Sequence, residues 1–218
     1  MRMPDGDCEI EQAASACNDI GAIVLAAGYS SRMGQFKPLL PFAGSTVLQR
    51  AIGLFKSAGV DNIVVVLGHR AGELKAITKK AGARWVVNPK FAQGMFTSVR
   101  EGARSIGSSV SGCFVLPGDM PSVRSSTIRS LADAFLSQSC SIAYPCFEKR
   151  RGHPPLIARH VLEEAVSDEE SGPLFSLLER HSKQAIDVPV ADAAVVMDMD
   201  TYADYLAHVA MAASVGYR

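Results

Sequence analysis

The segment from Leu25 to Lys37 carries the residues best suited to bind a polyanion. It reads LAAGYSSRMGQFK and follows directly from an apolar run. Gly28 and Gly34 let the main chain approach a ligand closely, so that several N–H groups can converge on phosphate oxygens. Arg32 adds a planar fork of donors and Lys37 a mobile point charge, and both suit phosphate. The segment therefore predicts a loop that binds a polyanion, with a triphosphate as the first candidate.

The spacing within this segment excludes two common phosphate-binding motifs. A Walker A loop needs Gly-x4-Gly-Lys-Ser/Thr, whereas two residues separate Gly34 from Lys37 and Pro38 follows. The Rossmann spacing Gly-x-Gly-x-x-Gly does not occur in it either. A surface turn rich in glycine and serine is the alternative, but the whole string is more specific than one pair of glycines.

Two acidic segments supply candidate ligands for a hard cation. Asp119 lies in the turn 116–121, where glycine and proline flank it at the end of an apolar run. Asp198 and Asp200 precede a C-terminal helical pattern, on whose surface we expect Asp204. An aspartate in such a place can also cap a turn or a helix. Because it would share an edge with a phosphate loop, Asp119 is our leading magnesium ligand.

Alternating hydrophobic patterns predict the elements that position these residues. The predicted strands are Ile20–Leu25, Asn62–Leu67, Arg84–Val87 and Cys113–Leu116, with a further strand at Val195 and Val196. The predicted helices are Thr46–Ala58, Ala71–Ala81, Phe96–Ile106, Ser125–Leu136 and a C-terminal helix that opens at Thr201 and presents Tyr205, Leu206, Val209 and Ala210. Apolar strands separated by helices indicate a parallel sheet covered on both faces. Ligands of such sheets bind beyond the carboxyl ends of the strands, so the loop and the Asp119 turn should form one site.

Composition limits the setting of that site. The chain has 218 residues, of which 48% are hydrophobic, and equal numbers of basic and acidic residues, 22 of each. No overall charge favours nucleic acid or an anionic membrane. Five cysteines without a Cys-x-x-Cys pair argue against a disulfide framework or a zinc site, so we expect a reduced cytoplasm. We expect one domain over residues 20–213, after an N-terminal extension at 1–19 that is a frayed helix or disordered and lacks the apolar core of a signal peptide.

The motif L-A-A-G-x-S-x-R-M-G-x-x-K, followed by PLLP at 38–41, resembles the signature loop of the molybdenum cofactor cytidylyltransferase family within the MobA-like nucleotidyltransferases. Leu-Ala-Ala-Gly is typical of the cytidylyltransferase branch, whereas the guanylyltransferase branch usually has Leu-Ala-Gly-Gly, so Ala27 favours cytosine. The resemblance covers roughly residues 20 to 207. It implies a three-layer α/β/α, Rossmann-like nucleotide-diphospho-sugar transferase fold with a mostly parallel sheet.

The resemblance also implies a nucleotide site that extends beyond the loop. Residues 88–98 resemble the family element Asn-Pro-x4-Gly-Met-x-x-Ser, although Met95 could equally be a core residue. His69 follows a strand and would contact the base or ribose, or simply lie in a turn before a helix. The expected catalytic residues are Arg32, Lys37 and Asp119. The expected nucleotide-binding residues are Leu25, Ala26, Ala27, Gly28, Ser30, Ser31, Arg32, Gly34, Lys37, His69, Asn88, Gly94, Ser98 and Asp119.

Metal and acceptor sites follow from the same resemblance. The late acidic cluster resembles Asp-x-Asp-Thr-Pro-Glu-Asp-Tyr, departing from it at residues 202 and 203, and implies Mg²⁺ held by Asp119 and Asp200, with Asp198 in reserve. Gly152, His153 and Pro154 resemble the family's Gly-His-Pro element, which faces the acceptor. The arginines at 150 and 151 would add positive charge there or be solvated. Residues 171–178 depart from the family's Gly-Ala-Arg-x-Leu-Leu pattern, so this segment leaves the acceptor's identity open.

These residues together predict a magnesium-dependent nucleotidyltransferase. Its expected substrates are CTP and a molybdopterin-type acceptor, and its product is molybdopterin cytosine dinucleotide with release of pyrophosphate. A molybdoenzyme would receive the product. One alternative is the same chemistry with GTP, or with a sugar or alcohol phosphate as acceptor. The other is a non-catalytic module that binds nucleotide or cofactor for a molybdoenzyme. The two acids and Lys37 argue against the module, because binding alone needs no two-carboxylate metal site.

Overall fold

The computed structural model describes residues 19–167 and 173–214. The expected N-terminal extension, apart from Asp19, lies outside these residues, as do Ser171 and Gly172 of the segment that departs from the family pattern. No helix within the two described ranges is long and apolar enough to cross a membrane.

A large mixed sheet forms the centre of the molecule. The strands are β1 (Ile20–Ala26), β2 (Pro41–Phe42), β3 (Ser45–Thr46), β4 (Asn62–Leu67), β5 (Arg84–Val87), β6 (Gly112–Pro117), β7 (Ile142–Phe147), β8 (Arg150–Arg151), β9 (Leu156–Ala158) and β10 (Ala185–Pro189). The order across the sheet is β10-β7-β9-β6-β1-β4-β5, with β8 paired to β7 and a separate β2–β3 hairpin. Strand β9 runs antiparallel to both β6 and β7, while β4, β1 and β6 are mutually parallel. The predicted mostly parallel sheet is therefore confirmed, with β9 inserted antiparallel and the short β8 also antiparallel to β7.

Helices cover both faces of the sheet, which confirms the predicted three-layer fold. They are α1 (Val47–Lys56), α2 (Ala71–Lys80), α3 (Met95–Ile106), α4 (Ser125–Ser137), α5 (Arg159–Ser167), α6 (Leu174–Arg180) and α7 (Tyr202–Ser214). Helix α1 contacts α2 and α4 on one face, and α5 contacts α3 and α6 on the other. Helix α1 begins where Thr46 and Gln49 form a reciprocal capping box, which explains its well-defined start.

The main core lies between these layers, and a second apolar cluster lies beside the site. Strand β1 is almost entirely buried because its apolar residues face helices on both sides. The second cluster joins Met33 and Leu40 of the first loop to Met199 and Tyr205 near the C-terminus. The C-terminal segment is thus packed against the phosphate loop.

The structure corrects three predictions about the C-terminal segment. Residues 193–196 form a 3₁₀ helix instead of a strand, because the Asp192 side chain accepts a hydrogen bond from the Ala194 N–H and starts a turn. Helix α7 buries Tyr205, His208 and Ala212, while Leu206 and Ala210, expected on the apolar face, are exposed. Asp204 is a capping residue and not merely a surface residue: its carboxylate accepts hydrogen bonds from the N–H groups of Asp200 and Thr201.

Candidate active site

The carboxyl ends of β1 and β6 meet and bring the two predicted segments together. The Gly118 N–H donates to the Leu25 carbonyl at 2.8 Å. A Cβ atom at residue 118 would lie 2.9 Å from that same oxygen, so the approach requires glycine. Asp119 follows at once and is therefore held beside the loop that leaves β1.

Lys37 binds both predicted carboxylates. Its Nζ lies 2.9 Å from Asp119 Oδ2 and 3.0 Å from Asp200 Oδ1. The lysine side chain is only 9% exposed, whereas the two carboxylates are partly open to solvent. Arg32, mostly exposed, donates to the other oxygen of Asp200. Three loops that are far apart in the sequence thus meet in one charged cluster, which we call the Lys37 cluster.

Mutual attraction keeps Lys37 and Asp200 charged. Burial acts to lower the pKa of Lys37, but hydrogen bonds to Asp119 and Asp200, together with their charges, outweigh it and raise that pKa. The hydrogen bond from Lys37 lowers the pKa of Asp200, and the charges of Lys37 and Arg32 add to this effect. Lys37 is therefore a cation and Asp200 an anion at neutral pH.

A cavity of about 280 Å³, the loop cavity, opens beside this cluster. It is lined by Leu25, Ala26, Ala27, Gly28, Ser30, Lys37, Pro38, Phe91, Met95, Ser98, Pro117, Gly118 and Asp119. A Cβ atom at Gly28 would meet no atom within 4 Å, so a ligand can lie directly against the main chain there. The Ser30 hydroxyl accepts from the Lys37 N–H at 3.2 Å and holds the loop closed on itself.

Several predicted nucleotide-binding residues lie outside the lining of the loop cavity. Ser31 and Gly34 are exposed in the loop, and Gly34 has a φ of 69°, which favours glycine. Gly94 immediately precedes α3 with a φ of 112°. Arg32 reaches the site only through Asp200.

Asn88 is buried and acts on the site through its neighbours. Its side-chain N–H groups donate to Thr97 Oγ1 at 2.8 Å and to Ser98 Oγ at 3.0 Å. Its side-chain oxygen accepts from the Lys90 N–H at 2.8 Å. Because these bonds occupy both ends of the side-chain amide, Asn88 fixes the turn and orients Ser98, which lines the cavity.

Aromatic rings cover the rim of the loop near His69. The His69 N–H donates to the Ala27 carbonyl at 3.0 Å. Tyr29, which is 53% exposed, lies with its ring 5.1 Å from the His69 ring and 5.2 Å from the Phe91 ring. The rim therefore offers flat apolar faces on which a nucleotide base could stack.

A second cavity of about 340 Å³, the apolar cavity, adjoins the first. Leu25, Met95 and Pro117 line both cavities. The other residues that line the apolar cavity are Val115, Tyr144, Arg151, Gly152, His153, Pro155, Leu174, Phe175, Leu178, Glu179 and Ser182. Two substrates bound in these cavities would meet at the ends of β1 and β6.

Two of the three predicted acceptor residues line the apolar cavity. The His153 N–H donates to the Val195 carbonyl at 2.8 Å. A Cβ atom at residue 152 would lie 2.2 Å from the same oxygen, so this close approach requires glycine. The loop is therefore held against the 3₁₀ helix at 193–196. Pro154 is buried and lies outside the lining. The His153 side chain is exposed, yet partial desolvation lowers its pKa, although the charges of Asp198 and Asp119 act to raise it, which favours the neutral ring at pH 7.

Arg151 is already paired within the protein. Its Nε donates to Asp187 Oδ1 at 2.6 Å, and its guanidinium lies 4.6 Å from the centre of the Tyr144 ring. The positive charge that Arg151 would add at this hairpin is thus offset by Asp187. Tyr144, Leu174 and Phe175 were missed as candidates, since apolar side chains at these separations resemble ordinary core residues. The departure of residues 171–178, which include Leu174 and Phe175, from the family pattern was the one available signal.

The carboxylates fit a metal that takes most of its ligands from the substrate. Asp119 and Asp200 converge on one cation, Lys37 Nζ, so their oxygens point to a common region. Among residues 19–167 and 173–214, no three His, Cys, Asp or Glu side chains form a group that could hold a metal ion. Mg²⁺ commonly binds one or two carboxylates together with substrate phosphates and water, and this mode suits the pair. Asp198 is exposed and takes no part in the Lys37 cluster.

A phosphate loop joined to paired carboxylates at the edge of a mostly parallel sheet is typical of nucleotidyltransferases, and the protein is an enzyme of this class. More specifically, the chain belongs to the MobA-like NTP transferase domain family, whose sequence pattern matches residues 22–186. The predicted family is thereby confirmed.

Individual relatives agree with this assignment. The chain is 28% identical over 190 residues to the molybdenum cofactor cytidylyltransferase of Escherichia coli, covering 86% of this chain and 94% of the relative. A nucleotidyl transferase from Methanothermobacter thermautotroptrophicus has a similar structure, with a TM-score of 0.78, 26% identity and coverage of 91% and 100%. The Rv0371C protein of Mycobacterium tuberculosis, solved in complex with manganese, has a TM-score of 0.72 at 27% identity, covering 88% of this chain and 99% of its own.

Proposed function

We propose that this protein transfers CMP from CTP to the phosphate of a molybdopterin-type acceptor in the cytoplasm. A phosphate oxygen of the acceptor attacks the α-phosphorus, the bond from that phosphorus to the β-phosphate oxygen breaks, and pyrophosphate leaves. The products are molybdopterin cytosine dinucleotide, which a molybdoenzyme would receive, and pyrophosphate. The observation that carries the proposal is the pair of adjoining cavities beside the Lys37 cluster.

Each part of the site has a role that its chemistry supports. The main chain around Gly28 and Ser30 would bind the triphosphate, and Lys37 and Arg32 would stabilise the charge that develops on the leaving pyrophosphate. Asp119 and Asp200 would hold Mg²⁺, which neutralises phosphate charge and aligns the attacking and leaving oxygens. The neutral His153 ring can hydrogen bond to the acceptor. The acceptor phosphate is itself the nucleophile, so the scheme needs no nucleophilic side chain.

CTP is favoured over other nucleotides by two observations. The loop has Ala27 where the guanylyltransferase branch usually has glycine. The relative that matches most of the chain carries the name of a cytidylyltransferase. The acceptor is supported by the same relative and by the apolar, aromatic lining of the second cavity, which suits a flat heterocycle more than a sugar.

The test is pyrophosphate release with a molybdopterin acceptor and Mg²⁺ in the presence of CTP, GTP, UTP or ATP. We expect release with CTP at a rate at least about tenfold above the others, a difference of about 1.4 kcal/mol. Preference for GTP would assign the protein to the guanylyltransferase branch. Release with a sugar phosphate but not with molybdopterin would change the acceptor class.

Asp119→Asn tests the role of the carboxylate in the same assay. We expect turnover to fall by about a thousandfold, since a preorganised charge at the reacting phosphate is lost, while the fold persists. Circular dichroism and the Tm would check the fold. Asp133→Asn, an exposed change on α4, is the matched control and should keep full activity. An active Asp119→Asn variant would contradict the metal assignment.

A further inference from the structure

One turn of helix α7 is bonded to the loops that carry Lys37, Asp119 and Asp200 of the Lys37 cluster. The contacts are made by Asp204, Tyr205 and His208. The family pattern ends at residue 186, so this helix lies beyond the matched region.

The first contact fixes the backbone of Asp200. Asp204 Oδ2 accepts from the Asp200 N–H at 3.0 Å and from the Thr201 N–H at 2.7 Å. The Thr201 hydroxyl in turn accepts from the Asp204 N–H at 3.2 Å. These reciprocal bonds form a capping box, which sets the angle at which the chain enters the helix and therefore where Asp200 lies.

The second contact reaches the loop that follows Lys37. The Tyr205 hydroxyl donates to the Pro41 carbonyl at 2.6 Å. Around this bond, Met33 and Leu40 pack with Met199 in the second apolar cluster. The stretch that contains Lys37 is thus anchored on both of its sides to the C-terminal segment.

The third contact reaches the loop that carries Asp119. His208 Nδ1 lies 2.7 Å from the hydroxyl of Ser122, three residues beyond Asp119. His208 is fully buried and Ser122 nearly so. A substrate therefore cannot reach this Ser–His pair, which excludes it as a catalytic nucleophile and base.

The ring of His208 also faces the segment before Asp200. Burial lowers the pKa of His208, while the Asp198 main chain and the charges of Asp119, Asp204 and Asp198 act to raise it. The neutral ring carries one N–H. Its Nε2 forms no hydrogen bond of normal geometry within the described residues, and the Asp198 main chain is the group that would accept from it. We assign the proton to Nε2, so that Nδ1 accepts from the Ser122 hydroxyl.

We propose that His208 is a positioning residue that sets the spacing of the Asp119 and Asp200 carboxylates, by binding Ser122 on one side and facing the Asp198 main chain on the other. This inference rests on the proposed metal-dependent transfer. Groups that orient metal ligands from outside typically change metal affinity by about tenfold to a hundredfold when they are removed. His208 should therefore control metal binding without contacting the metal.

Ser122→Ala is the variant of choice, because it removes one hydroxyl and leaves the buried ring in place. The measurement is Mn²⁺ binding in the presence of CTP, with free Mn²⁺ followed by electron paramagnetic resonance. We expect the Kd for Mn²⁺ to rise about tenfold. His208→Asn places an amide near the position of Nδ1 and should keep the Ser122 bond and most of the affinity, whereas His208→Leu should lose both.

Ser141→Ala is the matched control. Ser141 is a second buried serine bonded to a histidine, with its hydroxyl 3.2 Å from His160 Nε2. It directly precedes β7, which runs parallel to β6. Ser141 therefore lies at the amino ends of these strands, whereas the site lies at the carboxyl ends. Both serine variants should lower the Tm by similar amounts, but only Ser122→Ala should weaken Mn²⁺ binding.

The outcomes separate the inference from the proposed function. If the unaltered protein neither binds Mn²⁺ with CTP nor releases pyrophosphate, the metal-dependent transfer is wrong and the inference fails with it. If the unaltered protein does both, but Ser122→Ala binds Mn²⁺ as tightly as Ser141→Ala does, the positioning role is wrong while the function stands.

Discussion

The two adjoining cavities differ in how their side chains are held. In the loop cavity, Lys37 is buried and bonded to two carboxylates, and the main chain around it is fixed by further hydrogen bonds. In the apolar cavity, Phe175 is 72% exposed, and Arg151, the one cation among the described residues that line it, is paired with Asp187. Where charges must be aligned, the site is organised before substrate arrives. Where a flat substrate must be covered, exposed apolar surface suffices.

This difference predicts that changes in the loop cavity act on catalytic rate or nucleotide affinity, and that changes in the apolar cavity act on acceptor affinity. The two sets of effects should separate, although the cavities share Leu25, Met95 and Pro117. A failure to separate would mean that one substrate occupies both cavities.

The largest effect is expected for Lys37→Met. Loss of the cation beside the leaving pyrophosphate should lower kcat by about a hundredfold to a thousandfold. Stability should fall modestly, because Asp119 and Asp200 lose the cation between them, although both carboxylates are partly exposed to solvent. Steady-state kinetics and the Tm measure the two effects. An unchanged acceptor KM would support the division between the cavities, and an unchanged kcat would contradict it.

A smaller effect is expected for Gly28→Ala. The new methyl group meets no protein atom within 4 Å, so the fold should be unaffected, but it would occupy space in which we propose that the nucleotide binds. We expect the Kd for CTP to rise about tenfold, or about 1.4 kcal/mol, by isothermal titration calorimetry. Gly53→Ala on α1 also adds a methyl group in open space and should leave the Kd unchanged. Equal affinities in the two variants would remove Gly28 from the nucleotide site.

Phe175→Ala tests the apolar cavity. Loss of an aromatic face should raise the acceptor KM roughly fivefold, corresponding to about 1 kcal/mol of contact energy, and leave the Kd for CTP unchanged. Leu136→Ala, another exposed apolar change, lies on α4 and is the control. A rise in the Kd for CTP with no change in the acceptor KM would reverse the assignment of the cavities.

The smallest effect is the pH dependence of stability due to the Lys37 cluster. The pKa of Asp200 lies below its ordinary value of 3.8, so its contribution is present above that pH and is lost as pH falls through the lowered pKa. The pKa of Lys37 lies above 10.5, so its contribution is lost only as pH rises through the raised pKa.

The free energies of unfolding of the unaltered protein and of Lys37→Met should therefore differ most at pH values between the lowered pKa of Asp200 and the raised pKa of Lys37. Because the carboxylates are partly exposed, we expect a difference below about 1 kcal/mol. Denaturant unfolding from pH 3 to pH 8 measures it. A difference that grows as the solution becomes acidic would contradict the sign derived for Asp200.

Local patterns predicted much of the fold. The strands Asn62–Leu67 and Arg84–Val87 have the predicted bounds, because each is a short apolar or β-rich run between turns. Helix α1 starts and stops close to its predicted limits, because Thr46 caps it and Gly59, with a φ of 85°, ends the turn that follows. By contrast, the 3₁₀ helix at 193–196 was mistaken for a strand, since one Asp192 hydrogen bond outweighed the β propensity of two valines.

The sequence by itself determined the chemistry of the loop. Leu25 to Lys37 form one continuous motif, and Gly118 and Asp119 form another, so residue type and spacing are enough to predict the family. Only the tertiary structure decided that Asp200, and not Asp198, reaches Lys37, and that Tyr144 and Phe175 line one cavity. Those contacts join residues far apart in the chain, and their distances depend on how helices and loops pack at one edge of the sheet.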